Sequence, residues 1–200
     1  KIVRFTVTLP SADLLPETGP TMPGPILTLS PDGAILVYVA SRNRVDQLFA
    51  RALDELEPSA IPGTEGARFP FFSPDGQWIG FQAGGKLKRI AVAGGPPAVL
   101  CDLTGIFTGA SWGSDGRIYF CGGDPSVLWV VPAAGGVPQA LTSLDTGEAA
   151  QRWPHVLPGA EAVVFASVPT EGTVPRLVSL SLRTGERRVL LDGTSPRYAP

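Results

Sequence analysis

The stretch Phe71-Phe72-Ser73-Pro74-Asp75-Gly76-Gln77-Trp78-Ile79-Gly80-Phe81 reads as strand, tight turn, strand. Pro74 presets φ for the first corner of a turn, and Asp75 can hydrogen-bond its own backbone. Gly76 takes the positive φ that a residue with a Cβ resists. Phe71 and Phe72 lead in, while Trp78, Ile79 and Phe81 lead out, aromatic and β-branched as strands prefer.

The same unit recurs. Leu29 to Tyr38 repeats it around Asp32-Gly33, and Trp112 to Phe120 repeats it around Asp115-Gly116, one residue shorter after the turn. Val156 to Phe165 is a degraded copy, with Gly159-Ala160 where the others have Asp-Gly. The turn positions 32, 75, 115 and 159 stand 43, 40 and 44 residues apart. A second landmark follows each turn, a short apolar strand, a small-residue turn and another strand. Its copies begin at Leu48, Leu87, Leu128 and Leu177 and end at Ile61, Leu100, Leu141 and Leu191. Four strands in two hairpins, at a period of about 40–45 residues, are the pattern of a β-propeller blade. One blade cannot bury both faces of its sheet, so blades stack around an axis.

The expected architecture is all-β, a propeller segment of four four-stranded antiparallel blades at about 26–66, 67–105, 106–147 and 148–194. Residues 195–200 read as the start of a further blade, within a ring of six or seven. Residues 1–25 read as a strand and loop, with Ile2 to Leu9 alternating as a strand that would pair into the last blade and close the ring. An open arc would leave bare faces on the first and last blades, which predicts association unless the missing blades of the parent chain complete it. A parallel α/β reading is weak, because Gly and Pro break most helical windows.

Net charge is −2 and only 17% of residues are charged, which argues against a nucleic-acid surface or a polybasic membrane patch. Apolar residues reach 44%, too many for disorder despite 24 Gly and 21 Pro. No apolar run is long enough to span a bilayer. With Lys1 first and no signal-peptide pattern, the chain reads as a piece of a longer protein.

Ser-Pro-Asp-Gly followed by an aromatic strand, then a Leu-initiated strand ending in Gly-Gly, resembles the WD-like repeats of TolB-type propellers. The likeness is closer still to the propeller region that follows the kinase domain in many bacterial receptor-like serine/threonine protein kinases. It is carried by Phe71 to Phe81, Gly85-Lys86-Leu87-Lys88, Val99 to Asp102, Ala110 to Gly113, Leu128-Trp129 with Pro132 to Gly136, and Arg152-Trp153-Pro154. The resemblance implies a non-catalytic binding propeller, the extracytoplasmic sensor or interaction region of such a kinase. Its partner would be a protein, a peptide or a cell-envelope ligand. Two other readings stay open: a periplasmic TolB-type partner protein, and the substrate-gating propeller of a serine peptidase or hydrolase.

Candidate chemistry is thin, and no catalytic residue, metal site or cofactor is expected. Gly109-Ala110-Ser111-Trp112-Gly113 matches G-x-S-x-G, but a nucleophile elbow needs a helix after the turn, and here a strand follows. His155 is the single histidine, and Cys101 and Cys121 lack metal-ligand spacing, so no zinc site can be assembled. The two cysteines read as buried free thiols. Asp32, Asp75 and Asp115 sit a blade apart on separate hairpins, where turn capping explains them better than a metal. Kinase motifs and phosphate loops are absent from the segment. Arg68, Arg152 and Trp153, near strand ends, are the candidates for ligand or partner contact, because Arg and Trp dominate binding hot spots.

Overall fold

The structure is a computed structural model that describes residue 15 and residues 26–172 and 174–197. The strand expected over 2–9 lies outside the described residues, and 195–197 form no strand. Among the described residues sixteen strands run in chain order. The first blade holds β1 (Leu27–Leu29), β2 (Ile35–Arg42), β3 (Val45–Ala52) and β4 (Ser59–Ala60). The second holds β5 (Arg68–Phe72), β6 (Trp78–Ala83), β7 (Lys86–Ala91) and β8 (Ala98–Asp102). The third holds β9 (Ile106–Trp112), β10 (Arg117–Gly123), β11 (Ser126–Pro132) and β12 (Gln139–Ala140). The fourth holds β13 (Glu148–Val156), β14 (Ala162–Pro169), β15 (Arg176–Ser181) and β16 (Arg187–Asp192).

Every blade is an antiparallel meander in sequence order. In the third, β10, β11 and β12 form the ladder and β9 lies along β10. Gly113 N–H donates to Arg117 O at 2.8 Å to close that hairpin. A Cβ on Gly122 would stand 2.9 Å from Ile106 O, so β9 reaches β10 this closely because residue 122 is glycine.

The turns follow from their residues. Ser30 and Ser73 donate a hydroxyl bond to Asp32 and Asp75, each at 2.5 Å, and both serine backbones close the turn onto Ile35 and Trp78. The third turn has Gly113 in place of the serine, and Asp115 instead accepts the Tyr119 hydroxyl at 2.7 Å. The fourth, without Asp-Gly, winds as a 3₁₀ turn at Pro158–Ala160 with Gly159 at φ 77° and Ala160 at φ 53°. It still closes on the same bond, Leu157 N–H to Ala162 O at 2.8 Å.

Strand alternation sends successive side chains to opposite faces, and three buried clusters glue neighbouring blades. Val37, Val39 and Leu48 meet Ile79, Phe81 and Ile90 between the first and second blades. Phe71, Leu87 and Leu100 meet Trp112, Ile118 and Val131 between the second and third. Tyr119, Cys121 and Leu128 meet Val163, Phe165 and Val178 between the third and fourth. Full burial of each such side chain contributes about 1.5–3 kcal/mol, so the blade interfaces, not the short strands, hold the arc together.

The expectation of bare faces at both ends is corrected for the first blade. On the side away from blade two, Leu36, Tyr38, Ala40 and Phe49 form a fourth buried cluster, with the Tyr38 and Phe49 rings stacked at 5.8 Å. In the fourth blade the face away from the third is partly covered as well, with Val164 and Ala166 buried there, while Leu191 of the edge strand on that face is about 60% exposed.

Candidate functional site

The first strand of each blade faces the axis: β1 packs on β5, β5 on β9 and β9 on β13. At the end of these strands where the turns lie, a cavity of about 730 Å³ opens. Pro31, Pro74, Ser114 and Pro158 line it, and they occupy one and the same turn position in the four repeats. Phe71 and Trp112 add aromatic wall, while His155 and Arg197 add the only titratable groups among the described residues of the lining.

Burial, and then the neighbouring Arg197 charge, holds the His155 imidazole below its ordinary value, so it is neutral near neutral pH. Burial also disfavours the Arg197 charge, and its guanidinium donates to Pro196 O at 2.9 Å. Ser111, the serine of the G-x-S-x-G match, lies in β9 with a strand after its turn. Its hydroxyl accepts the Val156 N–H at 3.1 Å, tying β9 to β13. Among the described residues no bond joins Ser111 to His155. The hydroxyl serves as an inter-blade acceptor.

Further along the axis-lining strands lies a second feature. In β5 the register passes from Arg68↔Gln82 to Phe71↔Gly80, and in β13 from Arg152↔Ala166 to His155↔Val164. Each is a bulge of one extra residue. At equivalent positions Phe69 has φ 55°, Gly109 has φ 136° and Trp153 has φ 52°. Left-handed aromatic residues are uncommon, and each costs about 1–3 kcal/mol. Phe69 is held by its ring contact with Phe107, 5.5 Å between centroids. Gly109 takes its positive φ without strain, and a Cβ there would make only ordinary contact with Trp153 Cα, at 3.9 Å.

The three residues expected to contact a ligand all fall on these bulges. Arg68 donates to Asp46 of the preceding blade at 2.9 Å. Arg152, the equivalent residue two blades on, carries its guanidinium 5.9 Å from the centre of the Trp153 ring. Sequence reading did not register that Arg68-Phe69-Pro70 and Arg152-Trp153-Pro154 are one motif, although Arg-aromatic-Pro at matching repeat positions was there to find. Nor did it single out Gln151, which is fully buried beside Arg152. Gln151 Oε1 accepts the Leu128 N–H at 2.9 Å, and its Nε2 donates to Ser143 O and Glu148.

The described residues hold no cluster of three metal-ligating side chains and no helix long and apolar enough to cross a membrane.

No protein-family model matches the chain, and no curated protein sequence does. Solved structures do. A protein assigned as TolB from Agrobacterium tumefaciens superposes with a TM-score of 0.72 at 18% identity, over 87% of this chain and 70% of that one. TolB from Acinetobacter baumannii gives 0.71 at 17% identity, over 83% of this chain and 43% of that one. The fold is a TolB-type β-propeller segment. A puromycin-hydrolysing peptidase of Mycobacterium tuberculosis shares the propeller at a TM-score of 0.62 and 16% identity, over 87% of this chain but 30% of the peptidase. At these identities the likeness is one of fold.

Proposed function

We propose that this propeller segment is a non-catalytic binding module whose ligand, a protein or peptide segment, seats in the cavity at the turn-bearing end of the axis. One observation carries the reading: four repeats deliver the same turn position, Pro31, Pro74, Ser114 and Pro158, to the rim of one 730 Å³ cavity. Cavities of this size with largely apolar walls and few polar groups are ordinary ligand sites. A rigid ring of turns needs little ordering to bind.

The reading extends to the sensor or interaction region of a bacterial serine/threonine kinase on the extracytoplasmic side. The run of segments from Phe71 to Pro154 that resembles those kinases' propellers supports it. A second reading, a propeller that gates substrate entry to a hydrolase, draws on the mycobacterial peptidase neighbour. The parent reading frame separates them. A kinase domain and a spanning helix before Lys1 favour the sensor, a hydrolase domain after Pro200 favours the gate, and a signal peptide with neither favours a periplasmic TolB-type partner.

The binding claim itself is tested by selecting peptides from a displayed random library on the wild-type protein. Ser114 is exposed at the cavity rim, so Ser114→Trp fills the site without disturbing the core. Selected peptides are expected to lose affinity for Ser114→Trp by about tenfold or more, equivalent to about 1.4 kcal/mol. Peptides that bind both proteins equally, or a selection that enriches nothing, overturns the reading.

A further inference from the structure

Arg68 and Arg152 occupy the same place in the second and fourth blades, one residue before a left-handed aromatic and two before a proline. The second-blade arginine has its counter-charge built in. Its guanidinium reaches back to Asp46, two residues before Leu48 in β3 of the preceding blade. The corresponding place in the third blade is two residues before Leu128. The match is fixed by the outer-strand bonds, Ile61 N–H to Leu48 O and Leu141 N–H to Leu128 O, both 2.8 Å.

That place holds Ser126. Its hydroxyl donates to Gln151 O at 2.9 Å and carries no charge. The nearest acid in the strand, Glu148, is committed elsewhere: it accepts from the Asp145 N–H and from Gln151 Nε2, and stands 3.6 Å from Arg187. Arg152 Nε is therefore buried and finds no acceptor among the described residues. The Nε atoms of Arg51 and Arg89 share that state, but they belong to the third strands of their blades, and Arg89 lies on Trp78 at 4.3 Å. Arg152 alone of the three stands on an axis-lining strand, three residues before cavity-lining His155.

We propose that Arg152, backed by the Trp153 ring, is a carboxylate-recognition site on the axis of the propeller, taking from a ligand the carboxylate that Asp46 supplies to Arg68. This rests on the reading of the segment as a binding module and adds the chemical class of what it binds. A guanidinium presents paired N–H donors in the fork that matches a carboxylate, and an aromatic face beneath it fixes the plane of that fork. With Nε closed to solvent, the fork left for a ligand is the terminal Nη pair, and the sheltered surroundings strengthen a charged contact made there.

The test is a titration of the wild-type protein followed through its arginine Nε–H resonances, with Arg152 and Arg68 assigned from Arg152→Lys and Arg68→Lys. The probes are acetyl-Gly-Glu-Gly-amide, its Gln counterpart and glutarate. The Glu peptide is expected to shift the Arg152 signal saturably, to leave Arg68 unmoved and to bind Arg152→Lys about tenfold more weakly. The Gln peptide is expected to shift nothing. A response to glutarate alone assigns the site to small free carboxylates, and a response to the Glu peptide assigns it to acidic side chains; either supports the proposal. Equal shifts with the Glu and Gln peptides, a non-saturating shift with both carboxylates, or no shift overturns it. The readout is independent of Ser114→Trp, so failure of the cavity reading and failure of this one are separate results.

Discussion

The ring of Phe71 lies directly on the backbone of Gly80: a Cβ built on Gly80 would stand 2.1 Å from Phe71 Cζ. The two residues are cross-strand partners in β5 and β6, and the Phe71 ring packs on toward Trp112 of the next blade at 6.2 Å. Gly80→Ala must push that ring into the interface between the second and third blades. The expected loss is about 1–3 kcal/mol, the usual range for overpacking. Urea denaturation measures it, and Phe71→Leu added to Gly80→Ala should recover part of the loss by returning volume. An alanine variant as stable as wild type would show that Phe71 is free to swing away.

The second-blade turn carries a pH dependence of known sign. The Ser73 hydroxyl, and then the Gln77 N–H at 3.0 Å, hold the Asp75 carboxyl below its ordinary value of 3.8. Its folded value is thus lower than its unfolded one. The stabilisation is complete above the ordinary value and is lost as pH falls from there through the folded value. Asp75→Asn should lower the melting temperature near neutral pH and converge with wild type in acid below both values. Melts of the two proteins at neutral and acid pH decide it. A constant gap between them at all pH values would mean that the carboxylate charge plays no part in the turn.

What was legible in the sequence was what is local. Ser-Pro-Asp-Gly specifies its turn from four adjacent residues, and aromatic flanks specify strands, so blade count and strand order could be read before any contact was known. The bulges ran against a local rule. A residue before proline is biased toward extended backbone, yet Phe69 and Trp153 precede Pro70 and Pro154 and are left-handed. Phe107 packing on Phe69 comes from a different blade, and no window of sequence contains both. The cavity is non-local in the same way, because its rim is one residue from each of four turns. Gln151 looked like an ordinary polar strand residue, and its main partner, Leu128, is 23 positions away.

Gln151 should behave as a structural hub. Replacing it by leucine removes the donor to Ser143 O and Glu148 and leaves Leu128 N–H with Thr142 Oγ1 alone, at 3.1 Å. Blade one already works that way, where Thr64 Oγ1 accepts the Leu48 N–H at 3.1 Å. The cost expected for Gln151→Leu is about 1–3 kcal/mol for the polar groups left buried. Hydrogen exchange at Leu128 should speed up only modestly. Adding Thr142→Val should then strip the remaining acceptor and expose that amide to fast exchange. Unchanged protection in the double variant would show that the hub does not hold the third blade to the fourth.

The two cysteines should be inert in the folded protein. Both are free and buried, one on each side of the third blade. Burial, and then the neighbouring Asp102, pushes the Cys101 thiol up to about 11. Burial, and then Glu148, pushes Cys121 well above its ordinary value. The thiolate is the reactive form, so at neutral pH Cys101 offers about one reactive molecule in ten thousand, before access is counted. A maleimide reagent should label neither residue in native protein and both in urea. Raising the pH should bring Cys101 up first, since its thiol lies nearer the surface than Cys121, which is fully buried. Rapid stoichiometric labelling of native protein at neutral pH would mean that the second and third blades open faster than their packed interface allows.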